Sequence, residues 1–148
     1  MTDDASPHSR RAPWHLWLVG TTGLLWNSMG AYDYLMVQTA NGSTAGQFTP
    51  EQLELFSRFA AWLVAAWALA VWGGVAGAVL LLLRRKLAVP VLLVSLLAMT
   101  ATAIDNFASA SGLYATGGTG TRFVAVIFIV ALQLWIYARE MSARGVLR

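Results

Sequence analysis

Four long apolar stretches occupy most of this chain and constrain its fold more than any other feature. They cover residues 14–38, 59–83, 88–107 and 122–138. A helix needs roughly 20 mostly apolar residues to cross about 30 Å of hydrocarbon, which is close to what each stretch supplies. The sequence therefore predicts an all-α membrane protein in which four transmembrane helices form an antiparallel bundle.

The composition leaves little of the chain outside this bundle. Charged residues make up 11% of the 148 residues. A soluble domain usually carries about 25%. The expected organisation is a mobile cytoplasmic N-terminus (1–12), a four-helix transmembrane domain (13–140) and a basic cytoplasmic tail (141–148).

The positions of the basic residues predict the orientation of the bundle. In a four-pass arrangement, eight of the ten Lys and Arg residues fall on one side, and only Arg58 and Arg122 fall on the other. Basic residues concentrate on the cytoplasmic side of membrane proteins, so both termini are expected to be cytoplasmic. The basic charge therefore predicts contact with the lipid bilayer and its anionic headgroups, and no nucleic-acid partner. The eight cytoplasmic residues are Arg10, Arg11, Arg84, Arg85, Lys86, Arg139, Arg144 and Arg148.

The segment that precedes the first stretch has two interpretations. Ser9, Arg10 and Arg11 resemble the start of a twin-arginine export signal, which would be cleaved. Trp14 and Trp17 instead suit the interfacial anchor of a retained helix. Three more spans follow, so retention as the first span is preferred.

A helix start is predicted well before the second stretch. Thr49 can cap a helix, Pro50 fits its first position, and Gln52 stands where a capping box requires it. A single helix from 50 to 83 would be about 50 Å long, which exceeds the bilayer core. We therefore expect a short interfacial helical segment on the outer side, before helix 2.

Small residues in the second stretch predict close helix packing. They recur at spacings of three and four, which brings them to related faces of a helix. In lipid, small side chains let helix backbones approach closely. The predicted packing residues are Ala66, Ala70, Gly73, Gly74 and Gly77.

Polar residues inside the apolar stretches define the candidate site. Asp33 and Asp105 lie at similar depth, each about 10 Å outward from its helix midpoint. Asn27, Thr102 and Gln133 lie on small or polar stripes that should face the bundle interior. With the two outer arginines, the candidate set is Asn27, Asp33, Arg58, Thr102, Asp105, Arg122 and Gln133.

Two interpretations fit this set. In the structural one, Arg58 and Arg122 neutralise Asp33 and Asp105, and no substrate is needed to explain the four charges. In the functional one, the two acids and Asn27 form a protonatable or cation-binding site near the outer mouth. The structural interpretation is preferred, because acids near the membrane boundary cost less than acids at its centre. The seven Trp residues are interpreted mostly as interface anchors and lipid-facing bulk.

The sequence shows no catalytic or metal-binding set. It contains no Cys and only two His, His8 and His15, which excludes thiol chemistry and argues against a bis-histidine haem. It has no HExxH, Gly-x-Ser-x-Gly or Walker motif. We therefore expect no enzymatic activity, no cofactor and no metal.

Several segments together resemble a known group of proteins. They are Leu25–Tyr34 (LWNSMGAYDY), Thr49–Gln52 (TPEQ), Ala70–Gly74 (AVWGG), Leu82–Arg85 (LLRR) and Ala88–Pro90 (AVP). The set resembles a family of uncharacterised bacterial inner-membrane proteins of similar length, some loosely labelled "sugar transporter". The resemblance covers the chain from about residue 14 onwards. It implies four helices and a bacterial inner (cytoplasmic) membrane location, and it supplies no active site.

Two functions follow from these features. The first is a non-enzymatic membrane protein that acts through helix contacts, as a homo-oligomer or as a subunit of a membrane complex. The alternative is a small oligomeric solute transporter, sugar-related or proton-coupled, that uses Asp33 and Asp105. The sequence identifies no substrate, partner or oligomeric state.

The predicted topology can be tested with reporter fusions at residues 45 and 115. Both positions should report an outside location, because the positive-inside rule leaves the two loops that contain them on the outer side. A cytoplasmic signal at either position would contradict the four-pass arrangement.

Overall fold

Four helices, numbered here in chain order, form most of the protein that the computed structural model describes, which is residues 12–39, 49–51, 54, 61–108 and 118–148. They are α1 (Trp14–Gln38), α2 (Ala61–Leu82), α3 (Ala88–Ala108) and α4 (Gly118–Ala143). None of these described residues is in a strand. The prediction of an all-helical fold is confirmed for this part of the chain.

Three of the helices are both long and apolar enough to cross a membrane. The qualifying segments are Ala61–Leu82, Ala88–Asp105 and Arg122–Ala143, with 22, 18 and 22 residues. Helix α1 has 25 residues, enough for roughly 37 Å at 1.5 Å per residue, but it is not among them. Helix α1 is long enough to cross a membrane, but its glycines, its hydroxyl side chains, Asn27 and Asp33 lower its mean hydropathy.

The turn between α2 and α3 ends α2 with a Schellman motif. The backbone N–H of Arg85 donates to Leu80 O at 2.8 Å, and that of Arg84 donates to Leu81 O at 3.0 Å. This geometry needs a left-handed residue after the helix, usually Gly. Here Arg84 takes that position with a φ of 59°, a conformation that costs a non-glycine residue about 1–2 kcal/mol.

Helix α4 also ends with a Schellman motif, and here glycine takes the left-handed position. Gly145 has a φ of 70°, and Val146 N–H donates back to Met141 O at 3.0 Å. Glycine adopts this conformation without a Cβ clash. The chain is thereby turned back toward the bundle.

The residues after α4 then pair with the α2–α3 turn. Arg148 N–H donates to Arg84 O at 2.6 Å, and Lys86 N–H donates to Arg148 O at 2.8 Å. The Arg84 side chain adds a hydrogen bond from Nε to Val146 O at 3.1 Å. These bonds hold Arg84 in its strained conformation. The region predicted as a basic tail (141–148) thus begins inside α4 and packs on the bundle.

The main apolar cluster lies at this end of the bundle, which we call the turn end. It joins residues from all four helices and from the segment after α4. Val146 and Leu147 are as deeply buried as the helix residues around them. The cluster consists of Leu16, Leu81, Ala88, Leu92, Leu134, Ala138, Met141, Val146 and Leu147.

Glycines of α2 lie directly against the neighbouring helices. A Cβ at Gly73 would lie 3.0 Å from Ser95 Cβ of α3. At Gly77 an added Cβ would overlap the side chain of Leu92, also on α3. Ala66 and Ala70 are half-buried on the same helix. α2 has its most extensive contacts with α3 and α1.

The segment before α2 is described only in part. Pro50, Glu51 and Glu54 have helical backbone. The pKa of Glu51 is below its ordinary value, because its carboxylate accepts hydrogen bonds from its own backbone N–H and from the Thr49 side chain. Gln52 of the predicted capping box lies outside the described residues, as do most residues of the predicted interfacial segment.

The packing of α2 predicts that Gly74→Ala destabilises the fold. The added methyl group would overlap the carboxamide of Asn27 on α1, and overpacking of this kind costs about 1–3 kcal/mol. Denaturant unfolding of the purified protein in mixed micelles measures the change in the free energy of unfolding.

Gly30→Ala is the matched control for this substitution. The nearest atom to an added Cβ there is Val71 Cγ2 at 4.0 Å, so the methyl group fits, and the higher helix propensity of Ala should add up to about 1 kcal/mol. Equal stability of the two variants would show that Gly74 is not at a close contact.

Candidate functional site

A cavity of about 370 Å³ lies between the four helices, beyond the apolar cluster. All four helices contribute to its wall. Its residues come from the second half of α1 and the first part of α4, so it lies away from the turn end. We call this end of the bundle the cavity end.

The cavity forms because α1 and α4 separate along their length. At the turn end, His15 Nδ1 and the Tyr137 hydroxyl are hydrogen-bonded at 2.5 Å. About two turns further along α1, a Cβ at Gly23 would lie 2.6 Å from Leu134 Cδ2, so the two helices are in direct contact. Beyond this point residues of both helices line the cavity, starting with Trp26.

The wall of the cavity is mostly apolar and partly aromatic. Trp26, Trp67 and Phe123 come from three different helices, and Met29 and Met99 add flexible side chains. The ring of Trp67 makes an edge-to-face contact with Tyr34, with centroids 5.0 Å apart, which is a preferred aromatic geometry. Trp26 and Trp67 were expected mostly to anchor the helices or face lipid. For Trp26, the position at the middle of α1 is the sequence signal for a different role.

Three uncharged polar side chains line the cavity, and each is anchored to the backbone. Asn27 Nδ2 donates to Gly23 O at 2.7 Å. Ser95 Oγ donates across the helix interface to Ala70 O at 2.5 Å, and Thr102 Oγ1 donates to Met99 O at 2.8 Å. With their hydrogens already donated, the two hydroxyls present mainly acceptor lone pairs to the cavity.

Among the described residues of the cavity wall, Asp33 is the only one with an ionisable side chain. It is exposed, and within the described part of the chain it has neither an ion pair nor a side-chain hydrogen bond. The cavity therefore carries a carboxylate at its edge, with no basic side chain in its described wall.

The other predicted site residues are not in this wall. Asp105 is half-buried on α3, whereas Arg122 and Gln133 are exposed on α4. Arg58 lies outside the described residues. The structure thus brings Asn27, Asp33 and Thr102 to one cavity and leaves the second aspartate outside it.

The expected ion pair between Asp105 and Arg122 is not formed. Both side chains are described, and no contact between their charged groups falls within ion-pair distance. An ion pair does form on the surface of α4, between Arg144 and Glu140, which lie one turn apart. The side chain of Arg122 is instead exposed.

The cavity offers binding groups and no assembled reactive set. A nucleophile needs an adjacent base that a third group orients, and Ser95 and Thr102 donate to backbone carbonyls instead. The described residues include no group of three or more His, Cys, Asp or Glu that could hold a metal ion. The arrangement suits reversible binding.

Comparisons of this chain with protein-family models, with curated proteins and with solved structures find no match. The function is therefore inferred from the geometry of the chain itself.

The arrangement of Asp105 and Arg122 predicts additive effects in a double-mutant cycle. Because the two side chains are not paired, Asp105→Asn and Arg122→Gln should change the free energy of unfolding independently, within about 0.5 kcal/mol. Denaturant unfolding of the two single variants and the double variant measures the coupling. A coupling clearly above this value would support the ion pair expected from sequence.

Proposed function

We propose that this chain is a four-span antiparallel bundle of the bacterial inner membrane that is non-enzymatic and acts through helix contacts. Both termini are cytoplasmic in this proposal, as the distribution of basic residues predicts. The bacterial membrane follows from the family resemblance described above. The partner that we propose is a second copy of the same chain, bound through α1.

The order of interhelical contacts supports an antiparallel arrangement. Gly73 lies against Ser95, and Gly77 lies against Leu92, so later residues of α2 meet earlier residues of α3. The same inverse order relates α1 to α2. A turn of five residues between α2 and α3 also favours neighbours of opposite direction.

The position of α1 explains how a less apolar helix can be a span. Its Gly20 and Asn27 face α2, and Asp33 faces the cavity. Polar groups in a membrane are tolerated where they face the bundle interior or a cavity. The lower hydropathy of α1 is therefore compatible with a fourth transmembrane helix.

The observation that carries the proposal is an exposed heptad face on α1. Six residues at alternating spacings of three and four lie on one side of the helix, turned away from α2 and from the cavity, and all six are exposed. Such spacing is typical of a helix that packs against another helix. We call these residues the α1 outer face: Leu18, Thr21, Leu25, Ser28, Tyr32 and Leu35.

Two residues of the α1 outer face are polar and lie at membrane depth. Thr21 and Ser28 are exposed, and within the described residues neither hydroxyl has a hydrogen-bond partner. A hydroxyl that faces lipid can be satisfied across a helix interface, where Ser and Thr are enriched. A helix that covers this face would supply that partner.

The pattern of this face favours a second copy as the covering helix. From Leu18 to Tyr32, large residues alternate with small ones, as at Leu25 and Ser28. A face that carries both projections and gaps can pair with itself about a two-fold axis, the commonest symmetry of oligomers. We therefore propose a dimer through α1, with an accessory or scaffold role.

A transporter is the second candidate, and the position of Asp33 favours it. A carboxylate in the wall of a membrane cavity is a feature of ion and substrate pathways. Asp105 does not line the cavity, so this candidate depends on Asp33 alone. A sugar is a poor fit, because its hydroxyl groups would meet a wall that is mostly apolar.

Single-cysteine variants test the α1 dimer, since the chain has no native Cys. Leu25→Cys should form a disulfide-linked dimer on mild oxidation in native membranes, because residues near a two-fold axis come within disulfide distance. Non-reducing electrophoresis measures the fraction of dimer.

Leu97→Cys on α3 is the matched control. Leu25 and Leu97 are 66% and 59% exposed, and both lie near the middle of their helices, so random collision should cross-link them equally. Preferential cross-linking at Leu25 supports the proposal. Equal cross-linking of the two variants, or none at Leu25, would rule out the α1 interface.

A further inference from the structure

We infer that the cavity binds an amphipathic monocation, a molecule with an apolar and partly aromatic body and one positive charge. This inference goes beyond the proposed dimer, since the cavity lies on a different side of α1 from the α1 outer face. It concerns binding, and it assigns a ligand class to residues that the dimer does not use.

The charge of the ligand follows from the isolated carboxylate. Asp33 is the one ionisable group among the described residues of the cavity wall, and its carboxylate has no partner in that part of the chain. Next to apolar walls, the interaction between opposite charges is stronger than in bulk water. A single positive charge on the ligand complements this group, whereas an anion would be repelled.

The aromatic residues provide a second interaction with a cation. Trp26 and Trp67 line the wall from the neighbouring helices α1 and α2, and the contact with Tyr34 fixes the orientation of Trp67. The faces of Trp rings attract cations, more strongly where water is excluded. They also pack well against an aromatic body.

The size and polarity of the cavity define the rest of the ligand. A volume of about 370 Å³ falls within the range of sites for drug-sized molecules, roughly 300–1,000 Å³. Ser95 and Thr102 already donate their hydrogens to the backbone. A ligand with many hydroxyl groups would leave most of them without partners, so a compact apolar body fits best.

Access to the cavity is compatible with such a ligand. Asp33 is exposed, as are Met29 and Phe123 at the same end of the bundle. A charged group can therefore stay at the membrane boundary while the apolar body enters between the helices. This is the orientation that amphipathic molecules adopt at an interface.

The experiment compares two probes of matched shape and opposite charge, tetraphenylphosphonium and tetraphenylborate. Binding to the full chain in nanodiscs is measured by quenching of Trp fluorescence, and binding to the lipid alone is measured with protein-free nanodiscs and subtracted. Tetraphenylphosphonium should bind the wild type saturably. Asp33→Asn should weaken this binding about tenfold, and it should not weaken binding of tetraphenylborate.

Two further variants distinguish the cavity from other sites. Asp105→Asn removes the same charge outside the cavity wall and should bind tetraphenylphosphonium like the wild type. Gly30→Leu extends a side chain into the cavity from a position with free space around its Cβ, and should abolish binding, whereas Gly30→Ala should not.

Three results would overturn the inference: no saturable binding of tetraphenylphosphonium by the wild type, no change on Asp33→Asn, or an equal loss on Asp105→Asn. Cross-linking at Leu25 is measured separately in the same variants. If no cross-linked dimer forms, the binding measurement still tests the cavity. If the probe does not bind, the cross-linking still tests the dimer.

Discussion

The close approach of α2 to its two neighbours is the contact on which the rest of the bundle depends. Lipid tails are as apolar as the helices, so burial of apolar surface does not bring helices together in a bilayer, and van der Waals packing has to do so. The missing side chains of Gly73 and Gly77 allow α3 to pack directly on α2. On the other side, the amide of Asn27 occupies the space beside Gly74. Because α2 contacts both neighbours closely, it fixes where α1 and α3 lie, and α4 is held mainly by α3.

The cavity is a consequence of uneven packing along these helices. At the turn end, the apolar cluster is completed by Val146 and Leu147, which are not part of any helix. The backbone bonds between the residues after α4 and the α2–α3 turn hold that end together, including the strained Arg84. No comparable segment fills the space between α1 and α4 at the cavity end of the described chain. The two helices contact each other up to Leu134 and then diverge, so a wall of large side chains surrounds an empty volume.

The sequence predicted the helices better than the site, for physical reasons. Long apolar stretches leave a chain few alternatives to helices, and the small residues of α2 indicated a packing face. Depth along a helix could be counted from the sequence, which is how Asp33 and Asp105 were assigned to a similar level. Which face each acid takes depends on how the helices rotate about their axes, and the sequence does not specify that rotation.

The pairing of Asp105 with Arg122 was inferred from charge alone, whereas the side chain of Arg122 is exposed. The burial of Val146 had no local signal, because it depends on a turn about 60 residues earlier.

The composition of α1 reflects three different neighbours. One face needs small residues such as Gly20, because α2 comes close to it. A second face carries Asp33 and Trp26 toward the cavity. The third face exposes Thr21 and Ser28 among large apolar residues, a mixture that suits another helix better than lipid. A helix that faced lipid on most of its surface would be free to be uniformly apolar. In the proposed dimer, little of the α1 surface is left for lipid alone, which accounts for a hydropathy below that of the three candidate spans. On the proposal that α1 is a fourth span, its polar residues are accommodated by the bundle interior, by the cavity and by the second copy.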